Sequence, residues 1–126
     1  MIHKYKYYIY IRKMEIKFNS NLNGDGLYST KSYLKSEIIY TLNGEIYDKP
    51  TKYTIHVGNN IHILDMYGRY MNHSFVPTTY IDKCNVVAMD NINCGDELTF
   101  NYNTSEINMA TPFTVGDVLV CGKVIK

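Results

Sequence analysis

Short stretches that alternate between apolar and polar residues dominate the chain and predict β-strands. Met14, Ile16 and Phe18 are apolar at every second position, and successive side chains of a strand point to opposite faces. Strand-like segments, which alternate in this way or are rich in β-branched and aromatic residues, occur at 6–11, 14–18, 37–42, 53–57, 85–89 and 97–102. No apolar stripe of helical period extends beyond about three turns. The pattern favours one short helix, near residues 63–71.

Turn-forming residues separate these segments. Asn and Gly, which tolerate a left-handed backbone, cluster at 19–26, 43–44, 58–60 and 91–95. Many short strands with frequent turns predict a mainly β fold built from several small sheets.

Length and composition limit the class of protein. The chain has 126 residues, 45% hydrophobic and 20% charged, which indicates one globular domain and excludes general disorder. No apolar run approaches the roughly 20 residues of a membrane-spanning helix, so we expect no membrane association. Residues 1–12, a basic and tyrosine-rich strand or tail, lack the apolar centre of a signal peptide. An odd count of three cysteines then predicts reduced thiols and an intracellular protein.

The charge distribution bears on possible partners. The net charge is only +1, whereas a dedicated duplex-DNA binder is strongly basic, so we expect no direct sequence-specific binding of nucleic acid. Basic residues concentrate in segment 1–17, which leaves the remainder slightly acidic. That remainder could suit a basic peptide, although a solvated basic tail explains the same distribution.

Three motifs contain residues suited to chemistry, and each alone also has a structural explanation. Gly24-Asp25-Gly26 would let backbone approach a ligand closely, or would form a hairpin turn. The segment 69–74 places an amide beside an imidazole, although a single histidine is often structural. Phe100 and Tyr102 would share one face of a strand, where a tyrosine commonly only packs.

In this order and spacing, the motifs resemble the SET domain, the fold of protein lysine methyltransferases that use S-adenosylmethionine. Gly24-Asp25-Gly26-Leu27-Tyr28 resembles the family's GxG signature. The other matching blocks are Leu42-Asn43-Gly44-Glu45, similar to the hairpin YxGE, Arg69-Tyr70-Met71-Asn72-His73-Ser74, similar to RFINHS, and Glu97-Leu98-Thr99-Phe100-Asn101-Tyr102, similar to ELTFDY. The compact chain is similar to the minimal stand-alone SET proteins of viruses, and its residue usage fits an A/T-rich genome.

The resemblance implies a SET-domain fold with a C-terminal pseudoknot and short helical turns. Residues 13–110 would form the SET domain, and residues 111–126 a degenerate counterpart of the family's C-terminal post-SET segment. The segments at Asn72 and Tyr102 are expected to cross, one threaded under a loop, which is rare among folds.

The resemblance also implies a site for S-adenosylmethionine. Tyr102 matches the catalytic tyrosine. The residues matching cofactor-binding positions are Gly24, Asp25, Gly26, Leu27, Arg69, Tyr70, Asn72, His73 and Tyr102. Phe100 matches a position that varies between Phe and Tyr in the family, and Phe there implies di- or trimethylation.

The implied reaction moves a methyl group to a lysine ε-amine of a basic peptide, with a histone tail as the first candidate. The nucleophile must be neutral, and burial beside a sulfonium lowers the pKa of the amine. Alignment and oriented oxygen dipoles then supply most of the catalysis, and no strong general base is required.

Departures from the family pattern give two further expectations. Many relatives hold zinc with four cysteines, but Phe75, Val115 and Asp117 occupy three of these positions and only Cys121 matches. We therefore expect no zinc, with Phe75 and Val115 packed together in its place. Thr78 replaces an asparagine after Pro77, which predicts a looser turn.

Other interpretations remain open at this point. The short segment 46–70 predicts a sparse peptide groove, which a homodimer would complete, or loose substrate selection. A SET-fold binding or scaffold module with little turnover fits the same motifs, and an unrelated small β protein, such as a nucleic-acid-binding barrel, would match them by chance. A methyltransferase would act in the nucleus, that of the host if the protein is viral, or in the cytoplasm.

Overall fold

The computed structural model describes residues 13–20 and 24–123, which form a mainly β structure. The strands are β1 (Met14–Ser20), β2 (Gly24–Ser29), β3 (Ile38–Thr41), β4 (Gly44–Tyr47), β5 (Ile55–Gly58), β6 (Ile61–Asp65), β7 (Asn72–His73), β8 (Thr79–Asp82), β9 (Asn85–Ala88), β10 (Thr99–Phe100), β11 (Phe113–Val115) and β12 (Val118–Val120). A 3₁₀ turn spans Gly68–Tyr70, and one short helix, α1, spans Tyr102–Ser105. The predicted strand 6–11 and tail 1–12 lie outside the described residues.

The strands pair into small sheets, as the sequence predicts. Antiparallel sheets are β1–β2, β11–β12, β3–β9–β8 and β4–β6–β5, and β7 pairs with β10 in parallel. Each predicted strand within the described residues overlaps an observed one. The last is shorter than predicted, because β10 ends at Phe100 and Tyr102 begins α1. No helix in the described ranges is long and apolar enough to cross a membrane.

The helix predicted near residues 63–71 is wrong. This region holds the end of β6 and the 3₁₀ turn instead. The Asp65 carboxylate accepts the backbone N–H groups of Tyr67 and Gly68, at 2.8 and 2.7 Å. A side chain that accepts these donors favours a tight turn over a continuous helix.

The hairpin inferred at residues 42–45 is also wrong. β3 pairs with β9 and β4 pairs with β6, so this segment passes from one sheet to another. Gly44 is required there, because a Cβ would lie 1.9 Å from the carbonyl oxygen of Leu64. The turn predicted at 58–60 is confirmed: Gly58, Asn59 and Asn60 all have positive φ between β5 and β6.

Among the described residues, an apolar cluster joins the sheets other than β11–β12. Leu27 of β2, Ile39 of β3, Ala88 of β9 and Leu98 before β10 are at most 1% exposed. Burial of a Leu or Ile side chain stabilises a fold by roughly 1.5–3 kcal/mol. The core therefore fixes the strands that carry the first and third motifs.

The parallel pair β7–β10 brings the second and third motifs together. Asn72 lies opposite Thr99 and His73 opposite Phe100. The Thr78 hydroxyl donates to the Glu97 carbonyl at 2.8 Å and accepts the Thr99 N–H at 3.0 Å. The looser turn predicted at Thr78 is therefore wrong, because one hydroxyl supplies both a donor and an acceptor.

Candidate functional site

A cleft of about 800 Å³ lies beside the β7–β10 pair. Its walls come from the second and third motifs, from segment 50–55 leading into β5, and from residues in the segment 109–115 leading into and including β11. This volume is within the range of roughly 300–1,000 Å³ that is typical of small-molecule sites. The fold thus gathers residues from distant parts of the chain around one space.

The structure places half of the predicted site residues in this cleft. Arg69, Asn72, His73, Phe100 and Tyr102 line it. Those that do not line it are Gly24, Asp25, Gly26, Leu27 and Tyr70.

Leu27 and Tyr70 are two predicted cofactor residues that pack away from the cleft, and their contact with a cofactor stays a prediction. Leu27 is 1% exposed and belongs to the core, because it occupies an inward position of β2. Tyr70 packs its ring against Phe18, with the centroids 5.7 Å apart. Both side chains support the elements around the cleft and do not line it.

The glycine motif adjoins the cleft through Asn72. The Asn72 side-chain amide donates to the Asp25 carbonyl and to Glu97 Oε2, each at 2.8 Å. A Cβ on Gly26 would lie 3.0 Å from Glu97 Oε2 and 3.4 Å from the Asn72 amide nitrogen. Gly24 is open but has φ of +69°. Close packing therefore requires glycine at position 26, and backbone conformation favours it at position 24.

Tyr102 lies at the start of α1 with its hydroxyl fixed. Its backbone N–H donates to His73 Nδ1 at 3.1 Å, and its hydroxyl donates to the Met71 carbonyl. The ring of Phe100 lies 4.7 Å away, centroid to centroid. Burial, followed by the nearby carboxylates of Glu106 and Glu97, raises the pKa of Tyr102 well above its ordinary value. The phenol is therefore neutral at physiological pH.

His73 is neutral for a related reason. Burial lowers the pKa of its imidazole below the ordinary value. Because Nδ1 accepts a hydrogen bond from Tyr102, the proton of the neutral ring lies on Nε2. Nε2 is buried and finds no partner among the described residues. An acceptor on a bound ligand would remove the cost of this unpaired donor, roughly 1–3 kcal/mol.

Aromatic rings cover His73 from the C-terminal side. Phe75 and Phe113 both pack edge-on against it, with centroid distances of 4.4 and 5.9 Å. Phe75 and Val115 both line the cleft, and their predicted packing against each other stays a prediction. Within ranges 13–20 and 24–123, no cluster of three His, Cys, Asp or Glu side chains could hold a metal ion. The absence of zinc stays a prediction.

The charged groups of the cleft separate into an exposed rim and a buried wall. Lys52 and Arg69 are exposed, and their cationic groups lie over the Tyr53 ring at 5.6 and 4.6 Å from its centroid. Glu97 and Glu106 belong to the more buried wall. The wall is consequently acidic where a ligand would be shielded from water.

Glu106 was not identified from the sequence. It is 5% exposed, and its Oε2 accepts the backbone N–H of His56 at 2.9 Å. Burial raises the pKa of this carboxyl to about 7, although the hydrogen bond from His56 acts in the opposite direction. A single glutamate after the third motif has no distinguishing sequence pattern, because β5 and the C-terminal segment create its surroundings.

The C-terminal segment closes over the backbone of Glu106. Asn103 Oδ1 accepts the N–H groups of Cys121 and Gly122 at 3.1 and 2.9 Å, and the N–H of Lys123 donates to the Glu106 carbonyl at 2.7 Å. Gly122 has φ of +78°, and a Cβ there would lie 2.7 Å from the Glu106 carbonyl oxygen. The C-terminal segment therefore packs directly against the backbone of Glu106, whose side chain is 5% exposed.

Comparison with known proteins accounts for this arrangement. The SET domain family matches residues 5–103. The chain belongs to the SET domain family. A crystal structure from Plasmodium falciparum, described as a "putative histone methyltransferase", is 28% identical, covers 71% of this chain and 92% of that one, and superposes with a TM-score of 0.56. Comparison with curated proteins gave no match.

These findings confirm the resemblance to SET domains and the mainly β fold of several small sheets. The similarity to viral SET proteins stays a prediction. SET domains generally bind S-adenosylmethionine, and the cleft fits such a group in three respects. It has sufficient volume, its wall carries an unpaired imidazole donor, and its carboxylates would attract a sulfonium cation.

Proposed function

We propose that this SET domain transfers a methyl group from S-adenosylmethionine to a lysine ε-amine of a basic protein tail, with a histone tail as the first candidate. The observation that carries the proposal is the neutral Tyr102 hydroxyl in a cleft shared with Asn72 and His73. The histone methyltransferase description of the Plasmodium falciparum structure supports the same reaction class.

The residues of the chain have separate tasks in this reaction. Asn72 and His73 would hold the cofactor, which supplies a methyl group on a positively charged sulfur. The Met71 carbonyl fixes the Tyr102 hydroxyl, so that the phenol oxygen can point its dipole toward positive charge. Such fixed dipoles stabilise a charged transition state without reorganising during the reaction.

Phe100 supports a product with more than one methyl group. It is 2% exposed and its ring packs against Tyr102. A phenylalanine has no hydroxyl that could hold a water molecule beside the substrate amine. The volume that this water would occupy is therefore available to the methyl groups of a methylated lysine. We propose di- or trimethyl-lysine as the product.

The acidic wall supports a basic peptide as partner. Glu97 and Glu106 would favour a lysine side chain over a neutral one. The homodimer and the nuclear or cytoplasmic location stay predictions, as do the absence of nucleic-acid and membrane binding.

A methyl-transfer assay on core histones and a basic-peptide library tests the proposal. We expect Tyr102→Phe to lower turnover by about 10²–10³-fold, comparable to the loss of one oriented polar group. Cofactor affinity should change by less than about threefold, because Phe keeps the ring packing. Mass spectrometry of the product gives the modified lysine and its methyl count.

Tyr47→Phe is the matched control, because the Tyr47 hydroxyl is exposed and donates only to Glu45 among the described residues. Its activity should equal that of the wild type. Full activity in Tyr102→Phe would contradict the role of the hydroxyl. Cofactor binding without any methylated product would instead favour a binding or scaffold module.

A further inference from the structure

Glu106 is a buried carboxyl group of the cleft that the proposed cofactor contacts do not use. Glu97, the other acidic side chain of the wall, accepts the Asn72 amide. Glu106 follows α1, and its N–H donates to the Tyr102 carbonyl at 2.9 Å. It therefore lies one helical turn beyond Tyr102 and lines the same space.

The groups around Glu106 in the described part of the chain provide no counter-ion for its charge. His56 contacts the carboxyl through its backbone N–H, while its ring Nδ1 faces the Ser105 carbonyl at 2.9 Å and its ring lies 4.8 Å from that of His62. From the C-terminal segment, the Lys123 N–H donates to the Glu106 backbone carbonyl, and the Lys123 side chain is exposed. The other titratable groups of the cleft are Lys52, Tyr53, Arg69, His73, Glu97 and Tyr102. Among the described residues, none forms an ion pair with Glu106.

We propose that Glu106 binds the substrate's lysine ammonium and accepts its proton. This proposal rests on the proposed function and adds the group that generates the neutral nucleophile. One N–H bond of the ammonium breaks, an O–H bond forms on the carboxylate, and the nitrogen keeps the electron pair. Both groups end neutral, which suits a site shielded from water.

The physical setting favours this transfer. A free lysine amine has a pKa near 10.4, so almost none is neutral at physiological pH. Burial raises the pKa of Glu106 to about 7. The difference between this pKa and that of the lysine ammonium is therefore smaller than it would be for an exposed carboxyl group. A base with a pKa near the working pH is the most effective proton acceptor. The inference that no strong base is required is revised accordingly.

Peptide binding without cofactor gives a test that does not depend on turnover. Below neutral pH, Glu106 must lose a proton before it can pair with an ammonium. Wild-type affinity for a lysine peptide should therefore rise by about tenfold between about pH 6 and 8. Glu106→Gln should show a flat profile, because the amide keeps an acceptor for the His56 N–H but carries no charge. A peptide with norleucine in place of lysine should give flat profiles with both proteins.

The pH profile of methyl transfer gives the second readout. For the wild type, kcat/KM should fall below about pH 7 as Glu106 becomes protonated. In Glu106→Gln, activity near pH 7 should drop by about 10²-fold, and it should recover as pH rises toward the pKa of the free amine, about 10.4. Glu45→Gln is the control, because Glu45 is exposed and lies outside the cleft; it should keep the wild-type profile.

The outcomes separate this proposal from the proposed function. An active Glu106→Gln variant with wild-type pH profiles for binding and turnover would overturn the role of Glu106 alone. A wild-type protein that methylates no basic peptide would overturn the proposed function. If the variant does not fold, carbon-13 NMR of the wild type replaces it: lysine peptide should lower the pKa of Glu106, and an unchanged pKa would contradict the proposal.

Discussion

Two buried carboxyl groups, at the end of β6 and just after α1, have opposite surroundings. Asp65 is 0% exposed, and its oxygens accept hydrogen bonds from the Tyr40 hydroxyl and three backbone N–H groups, all at 2.7–2.8 Å. Glu106 is 5% exposed and accepts one hydrogen bond, from His56, within the described part of the chain. The two carboxyl groups are therefore similarly buried but accept very different numbers of hydrogen bonds.

We expect this difference to separate a structural carboxylate from the proposed proton acceptor. Four donors replace the water that Asp65 loses on folding, and they hold the segment between β6 and β7 in place. One donor does not replace that water for Glu106, so burial raises the pKa of its carboxyl to about 7. The two carboxyl groups differ in their number of hydrogen bonds far more than in their depth of burial.

The largest effect is expected from Asp65→Ala. The variant leaves the Tyr40 hydroxyl and three backbone N–H groups unpaired in the interior, and each such group costs about 1–3 kcal/mol. The free energy of unfolding should fall by roughly 4 kcal/mol in urea titrations. Asp82→Ala, on an exposed position of β8, is the control. A loss below about 1 kcal/mol would show that these donors find other partners.

Glu106→Gln should show the opposite effect on stability, and only at high pH. The pKa of Glu106 rises from 4.5 to about 7 on folding, so the folded chain holds its proton more strongly. The contribution of this group to stability is complete below about pH 4.5 and is lost as pH rises through about 7. The variant should gain about 3 kcal/mol relative to the wild type between pH 4 and 8. A gain that does not change with pH would contradict the raised pKa.

The smallest effect is expected from Gly122→Ala, which disturbs the shielding of Glu106. The new methyl group would meet the Glu106 carbonyl oxygen, and the backbone has a left-handed φ of +78°. Stability should fall by about 2 kcal/mol. Gly116→Ala, with φ of +59° and open space around it, should lose only about 1 kcal/mol.

The Gly122→Ala variant also tests why the Glu106 carboxyl group differs from that of Asp65. Displacing the Glu106 backbone should admit water, so the pKa of Glu106 should move back toward 4.5 in an NMR titration. Equal pKa values in the wild type and the variant would show that β5 alone buries the carboxyl group.

Local patterns in the sequence predicted much of the fold. Alternation of apolar residues located β1, a run of apolar and β-branched residues located β9, and Asn and Gly residues located the turn between β5 and β6. The helix predicted near residues 63–71 failed because apolar spacing does not reveal a carboxylate that accepts the next backbone donors. Strand partners were equally hidden, since β3 pairs with β9 and not with neighbouring β4.

The site was predicted where a motif itself lines the cleft. Asn72, His73, Phe100 and Tyr102 meet around one space, as the resemblance to SET domains implied. Glu106 and Phe113 were missed because their positions depend on long-range packing of β5 and the C-terminal segment. A matching motif does not show which of its side chains face the core, and Leu27 is one that does.

The close contact between Gly122 and Glu106 also has a consequence for biosynthesis. Residues 121–123 are synthesised after the described strands, and their N–H groups pair with Asn103 and with the Glu106 carbonyl. A nascent chain can assemble its earlier sheets while this carboxyl group is still hydrated and ordinarily acidic. The surroundings that we propose make Glu106 a proton acceptor therefore form only after residues 121–123 have been synthesised and have paired with this segment.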